Sequence, residues 1–577
     1  MKVKTNPKFQ LRPSQLEKTA TFSQWSSKLS IILIVLLLIT AVVLPLLAMF
    51  RQAFIDVSGQ YIGFLNFNRY LQSPALIRSL LNTTIVSTVT TFVTVPLAFG
   101  FAYVLARTDI KGKSIFKAIA LLPLFAPTMM HGIGLTYLFG HQGIISTGLF
   151  GLLPFEWRIP LYGPVGIILS EIVYTFPQAF LILSAGLAIS DYRLYEAAGS
   201  LGAGGWKKLY TVTLPSVKYA LLSAVVICFT LSFTDFGAPK VVGGQYNVLA
   251  TDIFKQVVGQ QNMSMGAVVG ILLTIPAILA FIVDRIVTRK QQAYMTSKSV
   301  PYAIKPNRSR NAIAYLYASV LSGLLLLLLA AVVMASVVKK WPYNLSWTWD
   351  HFDFSNAAAG GFEPFWNSVQ LAVLTAIAGT AITFLFAYLI ENVRVYKPLR
   401  QVAYFLSILP LALPGLVIGL SFIYFFNHPA NPLHFIYGTM AILVLANIVH
   451  FYSVPFMTAT TTLKMMDKEF EHVSESMNVS KWRTFFRITI PLSLLAILEM
   501  AIYYFVNAMV TVSALIFLYA SDLRLASVSI VSMDDAGDTA TAAAMSVLVV
   551  VFNIIVRMIY ELGTARMRRR MSAWQKR

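Results

Sequence analysis

The sequence predicts an all-α integral membrane protein of about 12 transmembrane helices in two parallel six-helix repeats. Three observations lead there. Hydrophobic residues make up 57% of the 577 residues and charged residues only 12%, where a soluble chain carries about a quarter. Twelve apolar runs approach or exceed the ~20 helical residues that cross ~30 Å of hydrocarbon. The second half of the chain also repeats motifs of the first.

In chain order, a polar tail at 1–29 precedes a first half at 30–285. Its apolar runs lie at 30–50, 80–106, 115–140, 164–190, 216–236 and 263–284. The first run is longer than the 7–15 apolar residues of a signal-peptide core and follows a long tail, so an uncleaved span is expected. Between the third and fourth runs, ISTGLFGLLPF at 145–155 reads as a short interfacial helix. The segment 286–312, IVTRKQQAYMTSKSVPYAIKPNRSRNA, is basic and carries two prolines. It should be a tether without a packed core. A second half at 313–562 has runs at 313–338, 366–390, 402–426, 438–463, 493–519 and 540–562, and a basic tail occupies 563–577. Twin prolines at 123–127 and 410–414 should kink the third and ninth runs. Cys228 is the single cysteine and lies within a run, so no disulfide can form inside the chain.

The net charge of +21 could point to nucleic acid. Its distribution points to a membrane instead. If the N-terminus is cytoplasmic and the runs alternate, the cytoplasmic segments hold 36 of the 45 Lys and Arg, leaving 9 outside. That is the positive-inside bias. It puts both termini in the cytoplasm, with the basic residues facing anionic lipid headgroups rather than nucleic acid.

The repeat is visible residue by residue. SLLNTTIV at 79–86 aligns with PFWNSVQL at 364–371, and FAYVLA at 101–106 with FAYLIE at 386–391. LLPLFAP at 121–127 aligns with ILPLALP at 408–414, and SEIVYTF at 170–176 with ANIVHFY at 446–452. Both halves start from the same side. A parallel repeat has its pseudo-twofold axis along the membrane normal, with the natural pathway between the halves.

Two polar loops interrupt this apolar chain at matching places. EAAGSLGAGGWKKLYTVTLP at 196–215 aligns without a gap to HVSESMNVSKWRTFFRITIP at 472–491. Each begins near a potential N-cap, Asp191 or Asp467. About ten helix-compatible residues then lead to Gly202 or Asn478, the residue types that best accept the left-handed conformation ending a helix. A second element leads to Pro215 or Pro491, where the next span should begin. Each half should therefore present a short helix–turn–helix to the cytoplasm. A loop merely lying on lipid would not require a helix stop at one fixed place in both halves.

The first loop resembles the E-A-A-x-x-x-G motif, with its distal L-P, of permeases in binding-protein-dependent ABC importers. Glu196, Ala197, Ala198, Gly202 and Pro215 match it residue by residue. The second loop departs: His472, Val473 and Ser474 stand in place of E-A-A, and Asn478 in place of the glycine, with Pro491 retained. The resemblance implies a coupling helix in each half that docks on a cytoplasmic ATPase. It implies two copies of that ATPase and an external substrate-binding protein, periplasmic or extracellular, at the bacterial inner membrane. No nucleotide-binding loop is found, because GKS at 112–114 would need glycine at 107, where Arg107 stands. ATP would be bound by the partner, so no cofactor, metal or catalytic residue is expected in this chain.

A secondary transporter also has six plus six spans. Its loop signature G-x-x-x-D-R-x-G-R-R/K finds Asp109, Gly112 and Lys113 here, but Leu105 and Ile110 where glycine and arginine belong. That class leaves both polar loops unexplained.

Polar residues inside spans are costly and become candidates for the pathway. Asn82 and Asn367 are equivalent across the repeat, as are Glu171 and Asn447, and Tyr174 and His450. An interhelical hydrogen bond is the simpler role for each Asn. Glu171 and Tyr174 share one helix face. Asp235 and Glu499 lie in or near other spans, and His131 reads as structural. Fused permeases of this form are typical of 2-aminoethylphosphonate and ferric-iron importers. The segment 233–269 looks most like the former, with ferric iron the alternative.

Overall fold

The computed structural model describes residues 28–575 apart from 57, 152, 153, 155, 157, 295–299, 301, 305, 356, 357, 359, 393–396, 468 and 478. Among the described residues eight helices are long and apolar enough to cross a membrane, or twelve where each of four bent pairs counts as one span. Spans 1 and 2 are Lys28–Ala53 and Pro74–Arg107. Span 3 is Lys113–Phe125 with Thr128–Phe139, bent by 105°. Spans 4, 5 and 6 are Pro164–Ala188, Gly205–Thr234 and Met263–Val287. Spans 7 and 8 are Arg308–Val337 and Glu363–Asn392. Span 9 is Lys397–Ala412 with Gly415–Phe426, bent by 113°. Span 10 is Met440–Phe451 with Ser453–Met465 (58°), and span 11 is Lys481–Leu492 with Leu494–Val510 (75°). Span 12 is Thr539–Met567.

The two sharpest bends fall on the twin prolines. A residue before proline is driven out of the helical region by the ring. Ala126 (φ −106°, ψ 139°) and Leu413 (φ −104°, ψ 123°) are both extended, and the chain re-enters helix at Thr128 and Gly415. Pro215 and Pro491 behave differently. Each follows a π-helical turn, Leu209–Thr213 or Phe485–Thr489, which absorbs the missing N–H by lengthening the backbone step. In the first half the helix then runs through Pro215 without a break. So span 5 starts at Gly205 rather than at 216.

Other boundaries also move. The helix of span 6 continues to Tyr294, span 7 begins at Arg308, and the last helix runs to Gln575. The tether is therefore shorter than 286–312, and most of the 563–577 tail is helical. Val338–Lys340 pairs antiparallel with Asn344–Trp347 in a hairpin that the apolar pattern did not signal. The short helix Gly148–Gly151 falls within the 145–155 stretch.

Spans 1 and 7 each pack on the opposite half. Ile31, Ile34, Val35 and Leu38 of span 1 share a core with Ala387, Tyr388 and Phe456 of the second half. Ala314, Ala318 and Leu325 of span 7 share one with Phe101, Phe176, Phe180 and Cys228 of the first. The halves exchange their first spans.

After spans 5 and 11 the chain does not cross directly. It forms short helices, Gly237–Val242 and Leu249–Phe254 in one half and Ala526–Asp535 in the other, before spans 6 and 12. Equivalent side chains of spans 2 and 8 hold these segments. Asn82 Nδ2 donates to Asn247 O (2.9 Å) and Asn367 Nδ2 to Arg524 O (3.1 Å). Beside them, Thr83 Oγ1 accepts from Leu249 N (2.9 Å) and Ser368 Oγ from Ala526 N (2.8 Å). These hydroxyls satisfy backbone donors at the start of a helix, groups that otherwise lack a partner.

Candidate functional site

The first polar loop forms the helix Tyr192–Ser200. Asp191 caps it by accepting from Arg193 N (3.0 Å). Gly202 stops it at φ +74°, and Ala203 N donates back to Ala198 O (2.9 Å). That six-residue closure around a left-handed residue is the Schellman stop. The second loop forms the helix Glu469–Ser476, with Asp467 accepting from Glu469 N (3.0 Å). Its closing bond runs from Val479 N to Ser474 O (2.9 Å), at the equivalent pair of positions. Asn478 itself lies outside the described residues, and for His472 only its place in the helix is described.

The tips of these helices are apolar and open. Leu201 is 85% exposed and its equivalent Met477 is 71% exposed. Glu196 and Ala197 are exposed beside Leu201, and Ala198 is half-buried. Trp206 and Trp482 are exposed as well. Leaving apolar side chains of this size open at equivalent points of two loops is costly in water unless another surface covers them. The signal available was the Leu201/Met477 equivalence itself.

A second feature was hidden in the linker. Arg107, at the end of span 2, is buried and donates to Leu187 O (2.9 Å) and to Ser190 Oγ. Its guanidinium lies over the ring of Tyr302 in the linker (4.2 Å) and near that of Tyr195 in the helix Tyr192–Ser200 (5.3 Å). Tyr192 N donates to Val300 O (3.0 Å), and Val300 N to Asp191 Oδ1 (3.3 Å). The tether is thus strapped to the helix Tyr192–Ser200, which corrects the expectation of a segment without packing. Stacked cation–π contacts are worth roughly 0.5–2 kcal/mol. Tyr302→Ala should therefore release the strap, whereas Tyr302→Phe should keep it. Limited proteolysis of the linker in membranes checks this; equal cleavage of Tyr302→Ala and the parent would refute it.

Polar residues of the interior divide into two groups. Asn82 and Asn367 are occupied in the anchors described above. Glu171 is fully buried on span 4, and no donor apart from the Asp235 carboxyl reaches either of its oxygens. Its carboxyl lies against that of Asp235, just past span 5. Asp235 Oδ2 accepts from Ala238 N (2.9 Å), and the Thr128 hydroxyl also reaches Asp235. Tyr174 faces both carboxyls and, across the boundary between halves, Tyr503. In the second half, Asn447 is fully buried with neither side-chain atom paired, and His450 Nδ1 has no partner. His450 packs near Gly415 and Ser513. Glu499 sits elsewhere, bonded to Tyr560 and paired with Arg557 (3.5 Å).

At the bends, the two halves solve one packing problem in opposite ways. A Cβ on Gly237 would collide with Thr128 Oγ1, and a Cβ on Gly415 would collide with Ser513 Oγ. Thr128 aligns with Gly415, and Gly237 with Ser513. One partner in each half carries the hydroxyl, and the other must be glycine. Among the described residues, no group of three or more His, Cys, Asp or Glu is placed to hold a metal ion.

Twelve spans in two repeats, with a short exposed helix on each half and polar groups gathered where the halves meet, define a membrane permease. The chain belongs to the family of binding-protein-dependent transport system inner membrane components, whose model matches it twice, at residues 95–292 and 379–569. It is thus the permease of a binding-protein-dependent ABC importer, with both permease halves fused in one chain. It is 28% identical over 537 residues to the ferric transport system permease protein FbpB of Actinobacillus pleuropneumoniae, covering 91% of this chain and 76% of that one. It is 23% identical over 527 residues to the Fe(3+)-transport system permease protein FbpB 2 of Haemophilus influenzae, covering 90% and 96%. A shorter likeness, 31% over 157 residues, links 26% of the chain to 66% of the molybdenum transport system permease protein ModB of Escherichia coli.

Proposed function

We propose that this permease carries ferric iron across the bacterial inner membrane, driven by two copies of a cytoplasmic ATPase and supplied by an external binding protein. The observation that carries the reading is end-to-end similarity to ferric permeases over nine-tenths of the chain. None of the relatives named above is a phosphonate permease, so the alternative expected from sequence becomes the main reading. The interior supports the same choice. Two facing carboxyls with no basic side chain acting on Glu171 offer no counter-charge to a phosphonate dianion, and they offer hard oxygen donors to a multivalent cation.

The exposed helices around Glu196–Gly202 and 472–478 are the docking points for the ATPase. The basic segments place both termini in the cytoplasm. A periplasmic signal from a reporter fused at Gln292 would sink that orientation.

The decisive experiment is ATPase activity of the complex reconstituted with its binding protein. Ferric iron should raise the rate and 2-aminoethylphosphonate should not. The purified permease alone should hydrolyse no ATP above background. Stimulation by the phosphonate instead of iron would overturn the substrate, and robust hydrolysis by the isolated chain would overturn the division of labour.

A further inference from the structure

The carboxyl pair of the first half has no counterpart in the second. Glu171 aligns with Asn447, Asp235 with Thr511 and Tyr174 with His450. At these aligned positions the first half carries two carboxyls and the second carries none.

The pair also lacks compensation. Glu171 is fully buried, its oxygens meet no donor apart from the Asp235 carboxyl, and no lysine or arginine lies close enough to act on it. Lys240, the basic residue nearest in sequence to Asp235, is committed to Asp535 (2.8 Å). Withdrawing even one carboxylate from water costs several kcal/mol unless something neutralises it. Two carboxyls in contact need protons or a cation between them. They are also not sealed away: Asp235 and Tyr174 each keep part of their surface open, and Tyr174 looks across to Tyr503 of the other half. A fully buried, unpartnered acid aimed at a half-open acid, with a phenol and a hydroxyl alongside, is a set of hard oxygen donors on one wall of the path.

We propose that Glu171, Asp235, Tyr174 and Thr128 form a transit site for a hard multivalent cation, ferric iron on the functional reading above, and that the second half contributes no acidic ligand to it. Arrival of the cation releases the carboxyl protons and the Tyr174 phenol proton to water, and its departure toward the cytoplasm takes the same number of protons back from the water there. No electron moves. The site is half-built by design. A complete cage would retain the ion, whereas two carboxylates and a phenol facing a neutral wall hold it only while the halves are close. The bend at Ala126–Pro127, which carries Thr128, and the short helix from Gly237, which follows Asp235, are the elements whose movement would open the set.

The test uses the full complex of permease, ATPase and binding protein in proteoliposomes, with radioactive ferric citrate as cargo. Glu171→Gln and Asp235→Asn keep size and remove charge. The double variant should lose uptake by about tenfold or more, while ATPase stimulation by the iron-loaded binding protein stays within about twofold, since docking is untouched. Incubation of the complex with ferric citrate should give a visible phenolate-to-iron absorption band that Tyr174→Phe abolishes. Uptake by the double variant within about twofold of the parent would overturn the site and leave the iron reading standing. Absence of iron uptake by the parent complex would overturn both. A double variant that loses uptake and also loses ATPase stimulation would mark Glu171 and Asp235 as structural, and that too would overturn the site.

Discussion

Gly202→Val should cut uptake by about one to two orders of magnitude without lowering the amount of protein in the membrane. The size follows from the backbone. A β-branched residue held in the left-handed region is strained by roughly 1–3 kcal/mol, and each ~1.4 kcal/mol is tenfold in a population. The site makes the experiment clean, because a Cβ built on Gly202 meets nothing within 4 Å. No packing is disturbed, so a loss reports the angle of the turn. Asn478→Gly should be tolerated, since the closing bond from Val479 to Ser474 asks for the same turn. Glu196→Ala should weaken capture of the ATPase more than His472→Ala, because the first loop alone keeps the full motif. Uptake at matched abundance, with co-purification of the ATPase, decides it. Normal uptake by Gly202→Val alongside failure of Asn478→Gly would remove the left-handed turn from the explanation.

The second large effect concerns the exchanged hydroxyl. Gly237→Ser should destabilise the first half by overpacking, typically 1–3 kcal/mol, because Thr128 already occupies the space. Adding Thr128→Gly should restore stability, because the pair then reproduces Gly415 with Ser513 of the other half. The readout is thermal denaturation in detergent of both singles and the double. A favourable coupling of about 1 kcal/mol or more is expected. A double variant no more stable than Gly237→Ser would show that the two bends are not interchangeable.

Much of this was legible in the sequence because the bilayer enforces it. Span number and the two sharpest bends follow from apolar length and from prolines, which act locally. The loops were legible because helix stops need particular residues, and Asp191, Gly202 and Asp467 are such residues. What could not be read was how separate segments meet. The bend in span 11 falls beside Pro491, yet Pro215, its equivalent, sits in an unbroken helix. The same residue thus gives two outcomes that its tertiary surroundings decide. Asn82 and Asn367 were legible as hydrogen-bonding residues, but not the carbonyls of Asn247 and Arg524 that they meet. Glu171 was legible as an oddity, and Asp235 was noted only as a polar residue near another span. Their contact joins residues 64 positions apart through the packing of spans 4 and 5, which no local pattern encodes.

The crossing-over of spans 1 and 7 bears on how such a protein can be made and inherited. Span 1 leaves the ribosome well before the part of the chain on which it has its seat. Until Ala387, Tyr388 and Phe456 exist, Ile31, Ile34 and Leu38 have only lipid for company. A gene cut in the linker would turn this into a meeting of two molecules, each lacking the helix that covers its partner. Joining them in one polypeptide raises the effective concentration of each half to about the millimolar range and fixes their ratio at one to one. The strap at Val300 and Tyr302 narrows the choice of cut still further. A cut before Val300 would leave the strap joined to the second half, although its binding place is on the first.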